Sequence, residues 1–192
     1  MMKKLMMTAM LMLVLVLAAC GSNADKPDNN AGNGSDEPEE TANFEEVYNA
    51  VETAMVDALT EDGDMTKEDA LNCYIIDDLT NADSDDPMVE MTLERLEIDP
   101  AQLANGKFIA AMMNINSDEI IVLEAKDEAD VATLKTALEN ELEAQDQTWS
   151  QYLPDQHEKV KNNVITTEGN FLLYVTFSAP DQVVDAFKAQ FE

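Results

Sequence analysis

Two clusters of acidic side chains have the residue types of a cation site. The first lies within residues 62–69 and the second within residues 83–90; their members are Asp62, Asp64, Glu68 and Asp69, then Asp83, Asp85, Asp86 and Glu90. Calcium takes hard oxygen ligands, and extracellular calcium sites are often weak. Neither cluster keeps the helix–loop–helix calcium register, because Lys67 and Asp86 stand where glycine makes the sharp turn. Asp83, Asp85 and Asp86 are therefore candidates for weak calcium binding only, with solvated surface loops as the alternative.

Motifs for catalysis are absent from the sequence. His157 is the only histidine, and a metal site or a general base needs further ligands or an orienting partner, so we expect a solvated loop residue. Ser150 and Ser178 lack the Gly-x-Ser-x-Gly setting of an activated serine. A glycan hydrolase needs two carboxylates at a defined separation, which sequence does not give. No catalytic residue, resident metal or cofactor is predicted.

The N-terminus has the pattern of a bacterial lipoprotein signal. Two lysines precede an apolar run over residues 5–17, and two alanines precede Cys20. We expect cleavage before Cys20 and lipid on its sulfur, which would anchor the protein to the outer face of the cell membrane. The domain plan that follows is a signal peptide at 1–19, a lipidated and disordered tether at 20–41, and a single domain at 42–192. The tether lacks large apolar residues for a core.

The charge of the chain limits its partners. After cleavage 9 basic side chains would face 40 acidic ones, a formal balance of −31. Nucleic acid is excluded as a partner, because its binding depends on neutralising phosphates with Lys and Arg. Such a surface also repels an anionic membrane leaflet and keeps an exported protein soluble. We expect a monomer.

Other reactive or apolar residues are expected to pack in the interior. Cys73 has no partner once Cys20 is lipidated, and we expect a buried structural thiol. Met112 and Met113 are expected in the core of a sheet rather than at a soft-metal site. The aromatic residues that could line a groove are expected to pack at helix–sheet junctions; they are Trp149, Tyr152 and Tyr174.

The hydrophobic pattern predicts an α+β domain, with an N-terminal helix followed by ββαββα. Apolar residues at helical spacing begin at Phe44 behind Asn43, a typical N-cap. Hairpins are predicted over residues 108–125 and 164–177, each followed by a helix. Residues 61–92 stay unassigned, with a short strand or a buried turn at 71–76. Asp99-Pro100 predicts a short helical turn. The expected architecture is an antiparallel four-stranded sheet with helices packed on one face.

Several short segments form a recognisable set: residues 94–103 with their Ile98-Asp99 step, Asp118–Val122 running into Lys126-Asp127, Tyr152-Leu153-Pro154, the strand that begins at Val164, and Gly169-Asn170-Phe171. Together they resemble a family of uncharacterised Gram-positive lipoproteins, domain-of-unknown-function family 4358. The resemblance extends over residues 40–192. It implies a secreted, membrane-tethered α+β domain and carries no catalytic residues.

These patterns favour a lipid-anchored extracytoplasmic module that binds rather than catalyses. The expected partner is a protein or an envelope component, contacted through the sheet face or the aromatic junction near Trp149. A weak calcium-binding lipoprotein and an envelope glycan hydrolase remain as alternatives.

Overall fold

The computed structural model describes residues 42–80 and 87–192. The predicted signal peptide, Cys20, the predicted tether, and the calcium candidates Asp83, Asp85 and Asp86 lie outside these ranges.

The fold is α+β, with one antiparallel sheet of five strands in the order β1-β2-β3-β5-β4. The strands are β1 (Tyr74–Asp78), β2 (Leu103–Ala111), β3 (Glu119–Ala125), β4 (Val164–Glu168) and β5 (Phe171–Thr176). The β2–β3 and β4–β5 hairpins confirm the two predicted pairs. Gly169 turns the second hairpin with φ +56°, a conformation that L side chains rarely adopt.

The prediction of four strands was wrong, because β1 pairs with β2 at the edge of the sheet. Its register aligns Tyr74 with Ala111 and Asp78 with Lys107. Its sequence ends in two aspartates, which gives a weak strand signal. An edge strand tolerates such residues because one side lies next to solvent.

Six helices accompany the sheet in the described residues: α1 (Phe44–Thr60), α2 (Lys67–Leu71), α3 (Pro87–Leu96), α4 (Val131–Trp149), α5 (Pro154–Lys161) and α6 (Pro180–Lys188). Asn43 caps α1 as predicted, since its side chain accepts bonds from the backbone N–H groups of Glu45 and Glu46. The predicted turn at Asp99 is a 3₁₀ helix over Pro100–Gln102, and Asp99 caps it.

The helices cover both faces of the sheet, so the prediction of one covered face was wrong. α1 and α6 pack on Ile120, Val122 and their neighbours, in one core. α3 and α4 pack on Ile121 and Leu123, in a second core. Both β3 and β5 are therefore buried on two sides, which explains why their sequences are nearly continuous apolar runs.

Within the described ranges, helices long and apolar enough to cross a membrane are absent.

Candidate functional site

The turn that leads into β3 is fastened by a buried carboxylate. Asp118 is 5% exposed, and its Oδ1 accepts a bond from Lys159 Nζ at 2.5 Å. Its Oδ2 accepts bonds from the Tyr74 hydroxyl at 2.8 Å and from Asn116 Nδ2 at 2.9 Å. Burial, followed by the charge of Asp118, raises the pKa of Tyr74 well above its usual range, so the phenol remains a donor. This contact set joins β1, the β2–β3 turn and α5.

A second set of bonds ties the same turn to α5. The backbone N–H of Ser117 donates to Gln156 Oε1 at 3.0 Å, and the Ser117 hydroxyl donates to the Gln156 carbonyl at 3.2 Å. Lys159 Nζ also reaches Asn116 Oδ1 at 2.8 Å. The turn is therefore held on two sides, and the residues just before it are presented in a fixed position.

The next residue, Glu119, belongs to a different charge cluster. Arg95 of α3 donates from Nη2 to Glu119 Oε2 at 3.2 Å and from Nη1 to Glu141 Oε1 of α4. The Arg95 guanidinium also lies 5.3 Å from the centre of the Phe108 ring, within cation–π range. One cation thus serves two carboxylates, whose side chains are only 7% and 2% exposed.

Polar side chains of α4 extend this cluster along the helix. Gln145 Nε2 donates to Glu141 Oε1 at 2.6 Å, and Trp149 Nε1 donates to Gln145 Oε1 at 2.8 Å. The Glu119 Oε1 atom is buried and has no hydrogen-bond partner among the described residues. Burial, followed by the nearby Glu141 carboxylate, raises the pKa of Glu119 to about 8.

Both carboxyl groups of this cluster are nearly covered, with side chains 7% and 2% exposed. A glycan hydrolase needs two carboxyl groups that reach the glycosidic bond from either side. A shallow groove of about 470 Å³ runs along α4, and neither Glu119 nor Glu141 is among its lining residues, which are Glu97, Ala132, Thr133, Thr136, Ala137 and Asn140.

An exposed apolar loop precedes the fastened turn. Met112, Met113 and Ile115 are 60%, 59% and 53% exposed, so the prediction that the two methionines lie in the sheet core was wrong. β2 ends at Ala111, and the chain turns through a bond from Asn116 N–H to the Met113 carbonyl. The apolar side chains therefore lie beyond the sheet. We call residues 112–115 the apolar loop.

Cys73 lies beside this loop and is exposed, so the prediction of a buried thiol was wrong. Its carbonyl accepts a bond from the Met112 N–H at 2.9 Å, and its Sγ–H donates to the Asp69 carbonyl at 3.3 Å. The turn between α2 and β1 leaves the thiol outside the core.

His157 lies in helix α5, not in a loop as predicted, and its side chain is 22% exposed. Its Nε2 lies 2.8 Å from Asp146 Oδ1, which joins α5 to α4.

The three aromatic residues that were predicted to pack at helix–sheet junctions differ in their burial. Trp149 is buried and packs near Tyr152 at 5.8 Å between ring centres, whereas Tyr152 is 53% exposed. Tyr174 is fully buried.

The four acidic residues of the first predicted calcium cluster are all exposed; they are Asp62, Asp64, Glu68 and Asp69. In residues 42–80 and 87–192, groups of three or more histidine, cysteine or acidic side chains arranged to hold a metal ion are absent. Glu90 of the second cluster is exposed on α3, and its other members lie outside these ranges.

Comparison with known proteins gives one family. The sequence profile described as "Domain of unknown function (DUF4358)" matches residues 77–177. The match includes Asp118, the cluster of Arg95, Glu119 and Glu141, and the apolar loop, but it begins after Tyr74. It is shorter than the predicted resemblance over residues 40–192. No curated protein and no solved structure matches the chain.

Proposed function

The chain belongs to the DUF4358 family of domains of unknown function, and on that premise we propose that it is a membrane-anchored, extracytoplasmic accessory module that binds a protein partner. The anchor is supported by the signal pattern that ends at Cys20. The location at the outer face of the cell membrane follows from the same pattern.

The observation that carries binding is the apolar loop. Three large apolar side chains within four residues are more than half exposed, immediately before the turn that is fastened by Asp118 and Ser117. Single exposed apolar residues are ordinary, but a contiguous apolar surface on a protein of this charge is typical of an interaction site.

The buried charges support binding over catalysis by their position. Glu119 and Glu141 are almost completely covered, and Asp118 is occupied by three donors. Asp118 holds the turn that follows the apolar loop, and Arg95 of α3 joins Glu119 of β3 to Glu141 of α4.

The test places a photo-crosslinking amino acid at Met113 in the full-length protein in living cells, with a second variant carrying it at Met91. Met91 is a matched control, because it is 60% exposed against 59% for Met113 but lies on α3. We expect a discrete adduct from position 113 that disappears when Met112 and Ile115 are changed to Ser. Equal adducts from both positions would contradict a binding site at the loop.

Anchoring is tested separately with Cys20→Ser. The variant should leave the membrane fraction or remain unprocessed, because lipid on this sulfur is the proposed attachment. A processed variant that still requires detergent for extraction would refute the lipoprotein assignment.

A further inference from the structure

The apolar loop is bordered on one side by an exposed acidic segment. We call residues 61–69 the acidic flank; it carries Glu61, Asp62, Asp64, Glu68 and Asp69, and every one of its residues is exposed. Its single lysine, Lys67, is bonded to Asp57 of α1 at 2.6 Å. Cys73 connects the flank to the loop, since it bonds Asp69 on one side and Met112 on the other. The Asp69 end of the acidic flank therefore lies next to the apolar loop.

The lysines on the other side of the loop do not offset this charge. Lys159 Nζ is bonded to Asn116 and Asp118 and is held against the turn. Lys161 pairs with Glu158, one turn earlier in α5. Because each of these lysines is paired with a carboxylate, neither offsets the charge of the acidic flank, and the formal charge of the whole chain is −29.

We propose that the apolar loop and the acidic flank together dock a basic amphipathic segment of a partner protein. This proposal rests on the proposed binding function and specifies the partner. Apolar side chains of the segment would cover Met112, Met113 and Ile115, while its Lys and Arg side chains would meet the carboxylates of the flank. Thioether side chains are flexible and polarisable, and they adapt to apolar partners of varied shape.

The negative charge of the acidic flank favours one kind of partner over the alternatives. An anionic membrane surface would meet this negative charge and be repelled. A second copy of this chain would bring its own acidic flank to the contact. A segment that is apolar on one face and basic on the other is attracted on both counts.

The experiment measures binding of synthetic peptides to the chain from residue 20 to residue 192, with Cys20→Ser so that lipid contributes nothing. The probes are an amphipathic helical peptide of leucine and lysine, the same peptide with glutamate for lysine, and a peptide of serine and lysine. Vesicles of phosphatidylcholine, alone and with phosphatidylserine, are tested in parallel. The variant Met112→Ser/Met113→Ser/Ile115→Ser removes the apolar loop, and Met88→Ser/Met91→Ser is its matched control on α3.

We expect the leucine–lysine peptide to bind, with affinity that falls as sodium chloride is raised. The loop variant should weaken this binding by about tenfold or more, as expected when a central apolar anchor is lost, while the α3 variant should not. Asp62→Asn/Asp64→Asn should weaken binding more than Asp181→Asn/Asp185→Asn, an equal change of charge on α6. The glutamate peptide should not bind.

Three outcomes would overturn the proposal. The first is that the leucine–lysine peptide binds the loop variant as tightly as the unchanged protein. The second is that the serine–lysine peptide binds as tightly as the leucine–lysine peptide. The third is that vesicles bind in a loop-dependent way and the peptides do not. If peptide binding fails while the crosslink at Met113 persists in cells, the basic partner is wrong and the binding function stands. If position 113 gives no adduct in cells, the proposed binding function itself is wrong.

Discussion

Asp118 and Glu119 are consecutive residues at the start of β3, and both carboxylates are buried, but their surroundings differ. Asp118 has its own lysine, and both of its oxygens accept hydrogen bonds. Glu119 shares Arg95 with Glu141, and its Oε1 has no hydrogen-bond partner in the described residues. Burial without a full set of hydrogen bonds disfavours the charged form of Glu119 and raises its pKa. The comparison shows that two carboxylates buried to the same degree can differ in how completely they are hydrogen-bonded.

The two carboxylates also face different parts of the molecule. Tyr74, which binds Asp118, belongs to the core on the α1 side of the sheet. Glu119 meets helices α3 and α4 on the other side. Because consecutive residues of a strand point to opposite faces, Asp118 supports the turn next to the apolar loop while Glu119 belongs to the charge cluster on the other face of the sheet.

The largest effect is expected from Arg95→Met. This change leaves Glu119 and Glu141 buried together without a cation, which costs about 3–5 kcal/mol of unfolding free energy. Urea unfolding monitored by circular dichroism measures it. Lys135→Met is the control, because Lys135 pairs with Glu139 at an exposed position. A loss no greater than that of the control would show that Arg95 does not hold the cluster.

Lys159→Met is expected to have the second largest effect. Asp118 would lose its cation but keep the Tyr74 and Asn116 donors, so the loss should be about 2–3 kcal/mol. The same urea titration measures it, with Lys161→Met as the matched control on α5, where the pair is exposed. If Lys159→Met destabilises more than Arg95→Met, the contrast between the two sites is reversed.

Glu119→Gln should alter how stability depends on pH. A carboxyl whose folded pKa is raised binds its proton more tightly in the folded state, so its stabilising contribution is present at low pH. That contribution is lost as pH rises from the ordinary value of the unfolded chain through about 8. Relative to the Glu119→Gln variant, the wild type should therefore lose free energy of unfolding across this range. Parallel curves for the two proteins would disprove a raised pKa at Glu119.

Tyr74→Phe should give the smallest loss, about 1 kcal/mol, since it removes one of three donors to Asp118. Thermal melting is sufficient to detect it. Tyr152→Phe is the control, because this side chain is exposed and its hydroxyl should contribute nothing measurable. A larger loss than that of Lys159→Met would make the phenol, and not the lysine, the main support of Asp118.

Local signals in the sequence determined the elements that depend on neighbouring residues. The spacing from Phe44 onward and the Asn43 cap predicted α1, and both are found. The glycine at position 169 predicted the turn between β4 and β5. Asp99-Pro100 predicted the short 3₁₀ helix. Caps and turns form within a few residues of one another, so sequence can specify them directly.

The tertiary structure decided which faces are covered and which groups meet. The apolar run at Ile120–Leu123 indicates a strand buried on two sides, a signal that the one-faced prediction did not use. Tyr74 meets Asp118 across 44 positions, and Arg95 meets Glu141 across 46. The exposure of Met112, Met113 and Cys73 depends on where β2 ends and how the turn is fastened. Such contacts depend on strand register and helix packing, because residues far apart in the chain meet only when the whole sheet has formed.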